Sequence, residues 1–192
     1  KESSAASDVY KRQLEPGIVT EEFVRRLTRI PQICPHFHLS LQSGCGETLK
    51  RMNRHYTPED YKQRCELLRK YFDRPAFTTD VIVGFPGETD EEFEATEKFL
   101  EEIHFAEMHV FKYSPRKGTR AAKMPDQVNE TVKTQRSARL LALGEKMSED
   151  YRKLCEKKVL EVLAEEPVSV DGETFWTGHS REYIKCLSLI HI

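Results

Sequence analysis

The stretch "TTDVIVGFPGETDEEFE", Thr78 to Glu94, changes period halfway along. Thr79, Val81 and Val83 alternate with Asp80, Ile82 and Gly84 in a segment rich in strand formers, as in a buried strand. Gly84-Phe85-Pro86-Gly87 then turns the chain. Thr89 followed by Glu92 has the form of an N-cap with its capping box, and Phe93, Thr96, Leu100 and Ile103 give a helical stripe. A strand that turns tightly into a helix N-terminus leaves unpaired backbone N–H groups at its carboxyl end, where open α/β sheets bind ligands. The corner is therefore a candidate site.

The same pattern recurs on both sides. Upstream, "HFHLSLQ" from His36 to Gln42 alternates as a strand and ends in Ser43-Gly44-Cys45-Gly46. Downstream, Ala106 to Tyr113 forms a third strand ending in the turn Ser114 to Gly118. Thr20 caps a helix carrying Phe23, Val24, Leu27 and Ile30, with Val19 and Val24 placed as a hydrophobic staple. Leu49 to Met52 is a short helix. Thr57-Pro58 with Asp60 opens another, amphipathic through Tyr61, Cys65, Leu68 and Phe72. A long helix runs from about Asn129 to Leu154. Strands separated by such helices imply parallel βα units. Three units leave a barrel incomplete, so the expectation is the C-terminal portion of something larger. After Cys155, three strands are expected: Val159 to Leu163, Thr174 to Thr177 and Tyr183 to Lys185. Turns at Asp171-Gly172 and Gly178-His179 separate them, as at the start of a small β-barrel that stops before closing. Residues 1–13 are polar and aperiodic, with the look of translated linker sequence, and 187–192 share it. Both are read as non-native ends.

With 38% hydrophobic and 32% charged residues, the 192-residue chain reads as a soluble globular protein with one domain and a small appendage. No apolar run approaches the roughly 20 residues needed to span a bilayer, no signal-peptide pattern is present, and a cytoplasmic setting is expected. The five cysteines, an odd number without close pairing, fit a reducing compartment, and their spacings hold no CxxC or CxxxCxxC cluster. Isolated cysteines of this kind are usually small core residues. Charge is segregated. Glu88 to Glu107 holds nine acidic residues and one lysine, whereas Lys112 to Arg139 holds eight basic and two acidic ones. The acidic stretch reads as a solvated helix face, and the basic one as either a solvated face or a phosphate-facing surface.

Five ordered blocks carry a resemblance: "HLSLQSG" (His38 to Gly44), "LKRMNRHYT" (Leu49 to Thr57), "TDVIVGFPGET" (Thr79 to Thr89), "FKYSPRKGTRAAKMPDQV" (Phe111 to Val128) and "GHSREYIK" (Gly178 to Lys185). Together they resemble the radical S-adenosylmethionine (SAM) methylthiotransferases. The fourth block is most similar to the branch that converts N6-threonylcarbamoyladenosine, next to the anticodon of tRNA, to its 2-methylthio derivative. Sister branches acting on isopentenyladenosine in tRNA or on a ribosomal-protein aspartate are alternatives. The resemblance implies an α/β chain in which residues 14–154 are the C-terminal part of a partial TIM-type (β/α)6 radical SAM barrel. Residues 155–186 would be the truncated start of a small all-β TRAM barrel. It implies S-adenosylmethionine and 4Fe-4S clusters as cofactors of the intact protein. The implied partners are the tRNA anticodon stem-loop, a reductant and a sulfur donor, with no membrane. The family's three-cysteine cluster loop has no counterpart here. The deoxyadenosyl radical needs an electron delivered through that cluster, and the cofactor rather than side chains supplies the chemistry. The expectation is therefore an enzyme fragment inactive by itself. A non-catalytic RNA-binding module and an unrelated metabolite-binding α/β domain are the readings from other classes.

The resemblance also places the cofactor pocket beside the strand ends. Ser40 and Gln42, alternating with Leu39 and Leu41, would face the interior, where the Gln42 amide suits a ribose hydroxyl or a methionine carboxylate. Asp80 shares a face with Ile82 and Gly84. Gly84 and Gly87, lacking a Cβ, would let a flat adenine approach, and Tyr113 would stack on or bound the adenosine. His38 would approach cofactor or substrate. Arg116, Lys117, Arg120 and Lys123 form a basic RNA-facing loop, extended by Arg51, Arg54 and His55, while Tyr183 and Lys185 interleave aromatic and basic character in the β segment. Plainer readings stand beside these: strand-end capping for Ser40 and Gln42, a satisfied interior histidine for His38, and a structural hydrogen bond for Asp80. The glycines can be a tight turn, the basic residues ordinary surface, and Trp176 barrel core. Glu88 is read as favouring the helix dipole. No side chain is assigned a catalytic or metal-ligating role.

Overall fold

The computed structural model describes residues 13–188. A parallel sheet comes first, with β1 (Gln13–Leu14), β2 (His36–Leu39), β3 (Ala76–Val83) and β4 (Glu107–Lys112) in that spatial order. Helical crossovers add each strand beside the last. These are α1 (Glu21–Leu27), the pair α2 (Gly46–Arg51) and α3 (Pro58–Tyr71), and α4 (Asp90–Ile103). Helix α5 (Glu130–Cys155) then leads to an antiparallel sheet of β5 (Val162–Val170), β6 (Glu173–Ser180) and β7 (Lys185–Ser188). Sequence reading finds three parallel strands; the fourth, β1, is two residues long, too short to show a period, and its Gln13 pairs with His38. At the other end Leu187 pairs with Thr177 and Ser188 with Trp176. The rest of the two end segments lies outside the described residues. No helix among the described residues is long and apolar enough to cross a membrane.

The helix starts form as their local sequences dictate. The hydroxyls of Thr20, Thr57 and Thr89 accept from the amides of Phe23, Asp60 and Glu92 at 3.1 to 3.2 Å, with complete capping boxes at Thr57 and Thr89. Each such cap contributes about 1 kcal/mol. One face of the parallel sheet, through Phe37, Leu39, Phe77, Val81, Val83 and Met108, is buried against Tyr61, Leu68, Phe93, Leu100, Ile103 and Leu140 of the helices. The opposite face is polar and partly open. Strand register sets His38, Thr78 and Glu107 in one row, with Asp80 and His109 in the next.

The strand expected to run to Gln42 breaks at Ser40. Thr79 Oγ1 donates to the Leu39 carbonyl at 2.6 Å and accepts from the Leu41 amide at 3.0 Å, and Tyr61 Oη donates to Leu39 O at 2.8 Å. Tyr56 Oη donates to the carbonyls of Ser40 and Leu41 at 3.0 and 2.9 Å. Side chains thus replace the backbone ladder across the break. Gln42, in left-handed conformation with φ 69°, then rejoins β3: its amide donates to Asp80 O and its carbonyl accepts from the Ile82 amide.

The second sheet departs further from expectation. Gly178-His179 is not a turn but lies inside β6, because a Cβ at Gly178 would sit 1.9 Å from Leu163 O where β5 bulges between Ala164 and Glu166. Tyr183 is not in a strand; it occupies the β6–β7 turn with φ 64°. Trp176 is half-buried rather than core. The β6–β7 turn is also the clasp between the sheets. Arg181 donates to the carbonyls of Pro31 and Ile33, and the Tyr183 ring stacks between His36 (centroids 4.2 Å apart) and His179 (4.7 Å). Behind it, buried Ala76, Tyr151 and Cys155 pack with Ala106, Leu160 and Ile184.

Replacing Tyr61 with Phe removes one of two donors to Leu39 O inside a fully buried site. The expected cost is about 1 kcal/mol, read as a Tm lowered by about 2–4 °C in calorimetry. The double substitution Arg181→Ala with Tyr183→Ala should undock the antiparallel sheet while leaving the parallel one folded. Trypsin should then cut faster between 156 and 161 with helical circular dichroism unchanged; an unaltered cleavage rate would remove the clasp assignment.

Candidate functional site

Strands β2, β3 and β4 end side by side: Gln42 bridges Val81, and the Tyr113 amide donates to Val83 O at 2.9 Å. Beyond β3 the chain turns through Gly84 (φ 70°) and Gly87 (φ 77°). The unpaired amides expected at this corner are not free. Glu88 Oε2 accepts from the amides of both Gly84 and Phe85. The carboxylate is buried and faces Arg136, whose Nη1 lies 3.6 Å from Glu88 Oε1 and donates to the Glu88 carbonyl at 3.1 Å. Arg136 Nη2 also donates to Asp90 Oδ1 at 2.7 Å. Burial pushes the Glu88 carboxyl above its usual value, opposed by Arg136 and the two amides. Glu88 is therefore a buried brace rather than a helix-dipole partner, because Thr89 takes the N-cap and the Glu88 side chain folds back beneath Gly84.

The glycines correct a second expectation. A Cβ on Gly84 would lie 2.3 Å from Lys133 Cγ, and one on Gly87 would lie 3.4 Å from Arg51 Nε. The room a side chain would need at Gly84 is taken by Lys133, whereas at Gly87 a Cβ would only touch Arg51 and the positive φ is what favours glycine. Lys133, almost fully buried, donates from Nζ to the Tyr113 carbonyl at 3.0 Å, with Nζ 5.6 Å from the centre of the Tyr113 ring. Sequence reading misses Lys133 and Arg136. A signal was present: both stand on the buried stripe of α5 with Leu140, Met147, Tyr151 and Cys155, where cations demand partners.

On the open face of the sheet, His38 Nδ1 lies 3.0 Å from Thr78 Oγ1 and Nε2 lies 3.4 Å from Asp80 Oδ2. His36 Nε2 reaches the same Thr78 hydroxyl at 3.1 Å. Asp80 therefore has His38 as its partner. Ser40 and Gln42 are both buried. The Tyr113 ring packs edge-on against Phe85 with centroids 5.2 Å apart, and its Oη is buried without a hydrogen-bond partner among the described residues. Of the residues expected around the cofactor, Gln42, Gly84 and Tyr113 meet at adjacent strand ends. Asp80 and His38 sit deeper on the open face, and Gly87 turns toward Arg51.

The basic rim is narrower than expected. Arg51 is bound through both terminal nitrogens to Glu92, and it holds that carboxyl below its usual range although burial works the other way. It is thus committed inward. Arg54 and His55 are exposed. The β4–α5 loop presents Arg116, Lys117, Arg120 and Lys123 in the open, with no ion pair to any described residue. The loop is tied to the corner, since the Gly87 amide donates to Asp126 O at 2.9 Å. Meanwhile Arg136 and Arg139 turn to the acidic helix, on Asp90 and Glu97, and Lys112 pairs with Glu130. In the antiparallel sheet Lys185 is exposed, whereas the Tyr183 ring, though partly exposed, is already stacked on His36 and His179.

The described residues do not fit an iron–sulfur cluster. No three potential ligands converge among them. Cluster ligands are thiolates, and burial pushes the Cys65 thiol up to about 12 and raises Cys155 and Cys186 as well. Cys65 and Cys155 are core residues as expected, but Cys34 is exposed.

Residues 13–100 match the radical SAM superfamily. The chain is 43% identical over 173 residues to the threonylcarbamoyladenosine tRNA methylthiotransferase MtaB of Bacillus subtilis (strain 168), covering 90% of this chain and 38% of that protein. It is 44% identical over 167 residues to the tRNA-2-methylthio-N(6)-dimethylallyladenosine synthase of Opitutus terrae, covering 87% of this chain and 34% of the relative. The synthase of the same name from Caldicellulosiruptor saccharolyticus is 42% identical over 148 residues, 77% of this chain and 31% of the relative. The chain thus spans about a third of the length of the curated relatives it matches. The solved structure of coproporphyrinogen III oxidase (HemN) from Escherichia coli, a radical SAM enzyme, shares the fold with a TM-score of 0.58 at 18% identity, over 70% of this chain and 31% of that one. By sequence, residues 13–100 belong to the radical SAM superfamily and the chain is a relative of the tRNA methylthiotransferases, with a sheet architecture shared with a solved radical SAM enzyme.

Proposed function

We propose that this chain supplies the cofactor floor and the RNA-facing rim of a methylthiotransferase that converts N6-threonylcarbamoyladenosine in tRNA to its 2-methylthio derivative. The observation that carries the reading is 43% identity across 90% of the chain to a relative of that name. Relatives named for dimethylallyladenosine, at 40 to 44% identity over somewhat less of the chain, make that nucleoside the second reading. Residues 14–154 are read as the C-terminal part of a (β/α)6 barrel, supported by parallel strands with helices on one face and a polar opposite face. Residues 155–186 are read as the opening of a TRAM barrel. Action on tRNA carries a cytoplasmic setting with it.

S-adenosylmethionine bound at the strand ends would supply the radical chemistry of the superfamily. The residues there fit it through the Tyr113 hydroxyl, buried without a hydrogen-bond partner among the described residues, and through the buried Gln42 at the adjacent strand end. Gln42, both donor and acceptor, would hold a ribose hydroxyl or the methionine carboxylate, and Tyr113 would bound the adenosine. The His38–Asp80 pair would orient polar groups on the open face, with Ser40 beside them. The 4Fe-4S clusters of such an enzyme would take their thiolates from outside the described residues. Arg116, Lys117, Arg120 and Lys123, joined by Arg54 and Lys185, would meet phosphates of the anticodon stem-loop and fix its register.

Gln42→Ala should weaken S-adenosylmethionine binding to the chain about tenfold in equilibrium dialysis. Reversing the four loop cations to glutamate should lower affinity for an anticodon stem-loop and flatten the log–log salt dependence by about 3 in filter binding. A slope that does not change would put the RNA on another face. Stem-loop binding with no S-adenosylmethionine binding would favour the non-catalytic RNA-binding module instead.

A further inference from the structure

We infer that Lys133 and Arg136, in the first turns of α5, are positioning residues that set the shape of the nucleoside floor by holding the ends of β3 and β4 together; this rests on the reading that S-adenosylmethionine binds at those strand ends. Lys133 touches both ends at once. Its stem lies where a Gly84 side chain would begin, and its ammonium holds the Tyr113 carbonyl. Gly84 and Lys133 are complementary shapes: the missing Cβ on one admits the methylenes of the other.

Arg136 acts one step further back. The Glu88 carboxylate holds the amides of Gly84 and Phe85, and it accepts from them most strongly while ionised. Burial favours its neutral form, and Arg136 is the cation that opposes this. Arg136 also fixes the Glu88 backbone through the carbonyl. The Phe85 ring against which Tyr113 rests therefore depends on Arg136, and the Tyr113 carbonyl depends on Lys133. The unpartnered Tyr113 hydroxyl is the group these contacts aim.

Neither cation is placed to contact a ligand. Their side chains are 7% and 6% exposed, and their charged atoms face the Tyr113 carbonyl and Glu130 in one case and Glu88 and Asp90 in the other. Their effect on a bound nucleoside is transmitted through Gly84, Phe85 and Tyr113. Helix α5 thus does more than connect the two sheets.

Four variants of the chain test this: Lys133→Met keeps the stem over Gly84 without the ammonium, Lys133→Ala removes both, Arg136→Lys keeps a cation, and Arg136→Met does not. Each is measured for S-adenosylmethionine Kd by equilibrium dialysis, anticodon stem-loop Kd, and Tm. Lys133→Ala and Arg136→Met should raise the S-adenosylmethionine Kd by about tenfold or more while the stem-loop Kd stays within about twofold. Lys133→Met should fall between wild type and Lys133→Ala, and Arg136→Lys should recover most of the lost affinity. Wild-type S-adenosylmethionine affinity in all four variants would overturn the inference. So would parallel loss of both ligands with a collapsed Tm in Arg136→Lys and Lys133→Met, which would make the pair scaffold alone. If the wild-type chain binds no S-adenosylmethionine, the cofactor reading falls first and takes the inference with it.

Discussion

One buried carboxylate, Glu88, decides the shape of the corner on which the rest of the candidate site is built. Strand β3 stops at Val83, and the amides that follow have no strand to pair with. Glu88 accepts from two of them, and Arg136 faces the carboxylate and opposes the upward push of its burial. Removing one partner of such a pair typically costs about 3–5 kcal/mol because the other is left buried and uncompensated. The arrangement is thus specific rather than merely adhesive. It fixes where Gly84 and Phe85 lie, and through Phe85 it fixes one side of Tyr113.

The same ion pair begins to explain the segregation of charge along the chain. The acidic helix α4 and the basic start of α5 neutralise each other across their interface, through Arg136 with Asp90 and Arg139 with Glu97. Arg51 comes from a third element to occupy Glu92. The four cations of the loop between β4 and α5 take no ion pair among the described residues, and they extend from a segment anchored at Gly87. A positive loop pinned beside the strand ends is suited to meeting a polyanion there, since an exposed cation keeps its freedom to meet phosphate while the scaffold fixes its reach.

The antiparallel sheet is held by different means. Arg181 satisfies two carbonyls in the connection before β2, and Tyr183 is inserted between two imidazole rings. These contacts use the aromatic and basic residues of the "GHSREYIK" block to dock one sheet on the other. A residue pattern that suits base stacking also suits ring stacking inside a protein, because both rely on the same π faces.

The sequence by itself determined what is local. The change of period at Gly84, the threonine caps of α1, α3 and α4, and the alternation of strands with helices all depend on neighbours within a few residues, and the structure forms each of them. The family resemblance is legible for the same reason, in contiguous blocks. Only the tertiary structure decided which groups fill the glycine corner, which arginine turns inward, and which tyrosine is already stacked. Glu88 and Arg136 are 48 positions apart, and Arg181 and Ile33 are 148 apart. A glycine at such a corner signals only a turn or a close approach. Whether a cofactor or a lysine from another helix takes the space depends on packing between distant segments, which no local pattern carries.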